Sequence, residues 1–221
     1  MTVSIDTKQL PKYARVRTTK RAQYDTGKVY AIIDQSLVAH VSFIHEDRPM
    51  VIPMAFARQE DTLYIHGAKA ARIIKENAQS AQISMAFTHI DGIVAAKSAM
   101  HHSVNYRSVV IHGTAEKVTD QQEHQQALIA ITEHLLPGRY AEVRPDTAKE
   151  LNATGVLAIT IDSAAAKVRS GPPVDDPEDE HLQKWSGVIP ITTALGPAQS
   201  AKHDETIELP ASIRAAQKKF A

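Results

Sequence analysis

The chain has 221 residues, with 25 Lys plus Arg against 25 Asp plus Glu and a formal net charge of zero. That balance argues against a general nucleic-acid binder, whose affinity rests on a surplus of phosphate-pairing cations. There is no cysteine, which excludes a disulfide scaffold, thiolate zinc sites, iron–sulfur clusters and a cysteine nucleophile.

Apolar residues make up 43% of the chain and charged residues 23%, the proportions of an ordinary globular domain. No apolar run reaches the ~18 residues of a membrane span, and the first residues lack the apolar core of a signal peptide. The expectation is a cytoplasmic protein forming one domain over 1–221. An extended basic arm (1–22) precedes it and a tail (about 192–221) follows.

In chain order, Asp25 and Thr26 are capping residues for a helix with apolar positions at 29, 32, 33 and 37. Residues 37–45, 50–58 and 63–67 read as strands joined by the short turns "EDRP" and "QEDT", which means an antiparallel meander. Pro53 cannot donate a ladder hydrogen bond, so its strand is an edge or is bulged there. A helix is expected over 69–78, followed by strands at 82–88, 92–99 and 106–118. Asp120 opens a longer helix with Ala127, Leu128, Ile131, Leu135 and Leu136 on one face, ended by Pro137-Gly138. A short helix around 146–152 leads into a strand at 155–168. Residues 171–180, "GPPVDDPEDE", read as an exposed loop, 184–191 as an apolar island with the only Trp, and 209–220 as a C-terminal helix. Several strands with interspersed helices in one domain suggest a small β-barrel with helical attachments.

Two stretches carry candidate chemistry. "LYIHGAKAARIIKE" (63–76) passes from strand to helix, with Lys69 and Arg72 at a helix start that the backbone already makes electropositive. An anion would offset that accumulated charge. Arg72 can grip a phosphate bidentately, and Gly67 lets the backbone approach a ligand closely. The plainer reading is that both cations point into solvent. "SAMHHSVNYRSVVIHG" (98–113) concentrates Ser103, Asn105, Tyr106, Arg107 and Ser108 before an apolar strand, a set of directional hydrogen-bonding groups suited to a heteroaromatic ligand. The plainer reading there is a polar strand start. The 11 histidines show no metal-ligand spacing, and no metal site is expected. Nucleophile-elbow, Walker and dinucleotide glycine motifs are missing from the sequence, so if the chain is an enzyme, a cofactor carries the hard chemistry.

These motifs resemble the pyridoxamine 5′-phosphate oxidase-like superfamily of FMN-binding split β-barrels, in particular the branch that includes the nitroimidazole-resistance reductases. "HVSFIHEDRPMVIPMAF", "LYIHGAKAARIIKE", "HHSVNYRSVVIHG" and "WSGVIPI" carry the resemblance, in the expected order from about residue 20 to 191. It implies a mostly β, α+β fold: a six-stranded antiparallel split β-barrel with peripheral helices. It also implies a homodimer with FMN at the subunit interface. The backbone near Ile52, Pro53 and Met54 would face the flavin ring, and Lys69, Ala71 and Arg72 would take the phosphate. His66 and Gly67 would lie near the flavin, while Ser103, Asn105, Tyr106, Arg107 and Ser108 border the cleft with Trp185.

The oxidases have Ser-Arg-Lys where this chain has Ala70-Ala71-Arg72, and they have Gln where it has Ser108. Their arginine-rich C-terminal substrate segment is replaced by "VIPITTALG", which speaks against pyridoxamine phosphate as substrate. The resemblance thus implies an FMN-dependent oxidoreductase of unassigned small-molecule substrate, with His66 and Tyr106 as catalytic candidates and NADH or NADPH as a possible electron donor. The alternatives are a non-catalytic flavin-binding, storage or sensor protein, and a haem-binding split barrel. No nucleic-acid or membrane partner is expected.

Overall fold

A computed structural model describes residues 10–77 and 79–221. The basic arm's first nine residues and the last residue of the helix expected at 69–78 lie outside the described residues. In chain order the elements are β1 (Ala22–Gln23), α1 (Thr26–Asp34), β2 (Ala39–His45), β3 (Arg48–Met54), β4 (Phe56–Gln59), β5 (Thr62–Ala68) and α2 (Arg72–Glu76). They continue as β6 (Ala81–Ala95), β7 (Ser103–Lys117), α3 (Gln121–Leu135), α4 (Ala148–Ala153), β8 (Thr154–Arg169), β9 (Gly187–Pro190) and α5 (Ala211–Lys219).

All described strands join one antiparallel sheet of nine strands, more than the six expected, in the order β3-β2-β6-β7-β8-β5-β4. Short β1 pairs with β8, and β9 with β6. The hydrogen-bonded path does not close. Its two ends, β3 and β4, are nonetheless consecutive in the chain and separated only by Ala55. The strand expected over 50–58 therefore turns a corner at Ala55 and serves both ends of the barrel. Pro53 lies in β3 at the end of that path, where its missing N–H costs no interior ladder bond.

Conversely, the strands expected at 82–88 and 92–99 are one strand, β6, which pairs with β7 through a register shift between Ile90 and Gly92. The bulge absorbs Asp91, so the polar break in the pattern bends the strand without ending it. The tight β2–β3 hairpin places Glu46 and Asp47 at positive φ (49° and 58°), as a two-residue turn between right-twisted strands requires.

Alternation divides the sheet into two faces. Phe43, Phe56, Phe87, Leu63, Ile65, Met85, Ile111, Leu157 and Ile159 point inward, and each is at most 2% exposed. A second apolar cluster forms where α3 lays Ala127 and Ile131 on Ala57, Tyr64, Val118 and Val156. Asp120 caps α3 by accepting from the Glu123 amide at 2.8 Å. Gly113 lies at a second β-bulge, where a Cβ would sit 2.4 Å from the Thr160 carbonyl oxygen.

The described part of the arm packs on the sheet's outer side: Leu10 and Ala14 are buried, and the Tyr13 ring meets His112 edge-on at 4.9 Å. The tail is anchored at α5, where Ser212 Oγ donates to Glu142 at 2.5 Å and Lys219 Nζ donates to the His134 carbonyl at 2.5 Å. Among the described residues no helix is long and apolar enough to cross a membrane.

Candidate functional site

The junction after β5 is built by close packing. Gly67 pairs with Gly155 across the β5–β8 ladder, and a Cβ on Gly155 would come within 2.6 Å of Ile74 Cγ2. The glycine thus lets α2 lie against β8. A Cβ on Gly67 would meet Ile74 only at 3.6 Å, an ordinary contact, so internal packing does not demand a glycine there. The helix is shorter than the sequence suggests and starts at Arg72, with Ala71 as an N-cap that offers no side-chain acceptor.

The amide of Lys69 donates to the Ala153 carbonyl at 3.0 Å, and that of Ala71 to the Ala68 carbonyl at 2.8 Å. Neither amide is therefore available to a ligand in this conformation, and the first-turn N–H groups of Arg72 and Ile73 are the ones left without intrahelical acceptors. Lys69 and Arg72 are both exposed, and among the described residues neither takes part in an ion pair.

His66 is the next residue inward. By alternation it shares the face of Tyr64, the face covered by α3, and it pairs with Val156. Its Nδ1 is buried without a hydrogen-bond partner, and burial pushes the imidazole below its ordinary pKa, which keeps the ring neutral. Such an orphaned polar atom is uncommon in a folded chain, and Ser98 Oγ and Ser163 Oγ are in the same condition. Ile52 and Met54, half-buried on β3, pack against the same core as Ala71, while Pro53 between them is exposed. His66 and the β5–α2 junction are contiguous in the chain, whereas β3 pairs with β2 at the other end of the strand order.

The 103–108 cluster behaves differently. Asn105 is buried, accepts a hydrogen bond from Arg169 and donates to the Gly171 carbonyl at 3.1 Å. Arg107 holds Asp91 through Nη2 to Oδ1 at 2.9 Å and Nε to Oδ2 at 3.1 Å, and donates to Gln35 at 2.6 Å. That ion pair lifts the guanidinium pKa further above its ordinary value. Ser108 Oγ donates to the Lys167 carbonyl at 3.2 Å, and Lys167 Nζ lies 5.8 Å over the Tyr106 ring. Strand alternation sends Asn105 and Arg107 to one face and Tyr106 and Ser108 to the other. Trp185, 68% exposed, precedes β9, whose pairing with Val94 and Gly92 brings it to the Ser103–Asn105 end of β7.

The two regions stand apart within one chain. His66 pairs with Val156, whereas Tyr106 pairs with Arg169 at the other end of β8. That is about 40 Å along a strand rising ~3.3 Å per residue. From β7 to the β3 edge the sheet exposes Ile44 (58%), Val51 (61%), Ile90, Ile93, Val104, Val110 and Ile189, all on the outward face.

Sequence reasoning missed Asp91 and Gln35 as the partners that hold Arg107, and Arg169 as the partner of Asn105. Gly92 inside an apolar strand pattern was the available signal, since an isolated glycine there suggests a bulge. It also missed a cavity of about 620 Å³ beside Arg107, lined by His40, His89 and Asp91 and by the tail residues Leu195 and Phe220.

The two exposed cations and the open first-turn amides at the β5–α2 junction thus suit an anionic group. The family model described as pyridoxamine 5′-phosphate oxidase matches residues 25–168. The flavocytochrome Anf3 of Azotobacter vinelandii is 34% identical, with a TM-score of 0.87 over 93% of this chain and 96% of that one. The FAD and haem binding protein of Mycobacterium smegmatis is 32% identical, with a TM-score of 0.85 over 89% of this chain and 97% of that one. A candidate 5-nitroimidazole antibiotic resistance protein of Bacteroides thetaiotaomicron shares the fold, at 22% identity and a TM-score of 0.54 over 66% of this chain and 86% of that one. A search of the curated proteins found no match. With the family model covering most of the barrel and relatives above 30% identity spanning nearly the whole chain, this protein belongs to the pyridoxamine 5′-phosphate oxidase family of split-barrel proteins.

Proposed function

We propose that the protein is a dimeric flavin-dependent oxidoreductase that also binds haem. The observation that carries this reading is the β5–α2 junction, where Lys69 and Arg72, which take part in no ion pair among the described residues, follow closely on a half-buried, neutral His66 whose buried Nδ1 lacks a partner. Arg72 and Lys69 would hold the flavin phosphate, and the β3 backbone at Ile52–Met54 would face the ring. Tyr106 and Trp185 would come from the second copy, because within one chain they lie at the far end of the sheet. The exposed apolar side chains on the outward face supply a surface for that second copy, of the kind that marks interaction sites.

The sequence resemblance points to FMN. The name of the 32%-identical M. smegmatis relative favours FAD, and the names of both relatives above 30% identity include a haem or a cytochrome. Of the half-buried imidazoles whose pKa burial lowers, His66 is the one with an unpartnered ring nitrogen among the described residues, and a neutral ring can coordinate iron; His134 contacts the Ser36 carbonyl at 2.8 Å and His112 the Ser84 hydroxyl at 2.8 Å.

A bound flavin supplies hydride and one-electron chemistry, and a bound haem supplies one-electron chemistry. The protein's part is to bind, orient and exclude water. Asp91 and Gln35 fix the Arg107 guanidinium at the rim of the neighbouring cavity, so it can present a fixed positive charge but cannot swing to a ligand without breaking both contacts. The test is to load the purified protein with FAD, FMN and haemin in turn, then to follow anaerobic reduction by NADH and NADPH. Tight uptake of a flavin with reduction supports the proposal. Uptake without reduction leaves a flavin-binding or sensor protein, and no uptake of either flavin overturns the reading.

A further inference from the structure

A second cavity, of about 500 Å³, opens between the start of β8, the first turn of α3 and the end of α4. Its volume falls within the ~300–1,000 Å³ of small-molecule sites. Lys69 and Lys117 line it and no carboxylate does. Among the described residues neither lysine takes part in an ion pair. Gln121, Gln125 and Asn152 add carboxamides with both donors and acceptors, and Leu151 and Val118 add an apolar wall. The wall is held in place: His124 Nε2 lies 3.0 Å from the Thr154 carbonyl, the Val118 amide donates to the Val156 carbonyl at 3.0 Å, and the Lys69 amide donates to the Ala153 carbonyl at 3.0 Å.

We infer that this cavity binds an adenylate moiety, with Lys117 on its phosphate, Lys69 between that phosphate and the one at Arg72, and the carboxamides on the edge of its purine. An inorganic anion would leave the carboxamides and the apolar wall unused, whereas a nucleotide uses all three kinds of group. The cavity also adjoins the β5–α2 junction through Lys69. FAD differs from FMN by an adenylate attached to the phosphate. If Arg72 holds the first phosphate, Lys69 is the cation next along the chain to meet the second, and it opens onto the cavity. This rests on the flavin reading for the source of the adenylate, not for the site itself.

The test uses the full chain freed of flavin, titrated with FAD, FMN and AMP, together with Lys117→Ala and with Leu151→Trp, which fills the cavity without removing charge. The inference expects FAD to bind at least tenfold more tightly than FMN. Both variants should remove that advantage and abolish AMP binding, with FMN affinity and melting temperature unchanged. Loss of AMP binding under saturating FAD identifies the flavin as the source of the adenylate, and persistence of AMP binding identifies a separate nucleotide. Wild-type-like binding of FAD and AMP by both variants overturns the inference while leaving the flavin reading intact. If neither flavin binds but AMP does, in a manner that depends on Lys117, the flavin reading fails and the adenylate site stands.

Discussion

The backbone amide of Lys69 donates to the carbonyl of Ala153 at 3.0 Å, which extends the β5–β8 pairing one step beyond the strand and fixes where α2 begins. This contact leaves the Lys69 side chain facing the cavity at the start of β8 and puts Arg72 in the first turn of α2. The amides of Lys69 and Ala71 are engaged internally, so the proposed phosphate site is left with the Arg72 and Ile73 amides and the side-chain charge of Lys69 and Arg72.

Arg72→Ala is accordingly expected to weaken flavin binding by about 1.5–3 kcal/mol, the scale of a charge-assisted hydrogen bond. Arg72 is exposed and takes part in no ion pair among the described residues, so the melting temperature should stay constant. Fluorescence titration measures the first quantity and thermal denaturation the second. An unchanged flavin dissociation constant would remove the phosphate role.

Val110 is 42% exposed on the outward face and lies in register with Ala86 and Ala165 on its neighbouring strands. Val110→Lys should yield a folded monomer in analytical ultracentrifugation, with flavin affinity lost alongside dimerisation. A monomer that retains flavin would place the whole site within one chain.

Much of this was legible in sequence, and the misses share one physical cause. The hairpin turns, the caps at Asp25 and Asp120 and the edge position of Pro53 follow from local chemistry and stand in the structure. Asp91 broke the apolar pattern, yet tertiary pairing with β7 carries β6 straight past it as a bulge. Ala70 and Ala71 favour helix by propensity, but Lys69 is drawn into the β8 ladder and the helix shortens to Arg72–Glu76. Asn105, Arg107 and Ser108 read as ligand-binding groups because their polarity is visible in the chain. Their partners Arg169, Asp91 and Lys167 are distant in sequence and appear only in the folded sheet.

Gly113 provides a test of the fold. A Cβ there would sit 2.4 Å from the Thr160 oxygen and 2.8 Å from Ile159 Cγ2, and backbone cannot give way cheaply. Gly113→Ala should destabilise the protein by about 1–3 kcal/mol, the usual range for overpacking. Urea unfolding with an unchanged midpoint would contradict the bulge geometry.

Tyr30 provides a test by pH. Its hydroxyl donates to Asp61 and its ring lies 4.1 Å beneath the Arg58 guanidinium, which itself grips Asp34 at 2.6 and 2.8 Å. Burial first, then the Asp61 hydrogen bond, pushes its pKa up from 10.0 to about 12. Because the folded value exceeds the unfolded one, this contribution to stability is fully present below pH 10 and is lost as pH rises toward 12. Ultraviolet titration of phenolate absorbance should show one late-titrating tyrosine that Tyr30→Phe removes. Loss of an early-titrating group instead would show that the Asp61 contact is absent in solution.

The claim at the centre of this account is that the β5–α2 junction and His66 together form the cofactor site. Its most direct measurement is the absorption spectrum of His66→Ala beside the wild type, each loaded with FAD and haemin and then freed of excess. The account predicts that the wild type carries both flavin and Soret bands, and that the variant keeps the flavin bands and loses the Soret band. A variant spectrum identical to the wild type, or a wild type that retains neither cofactor, would contradict it.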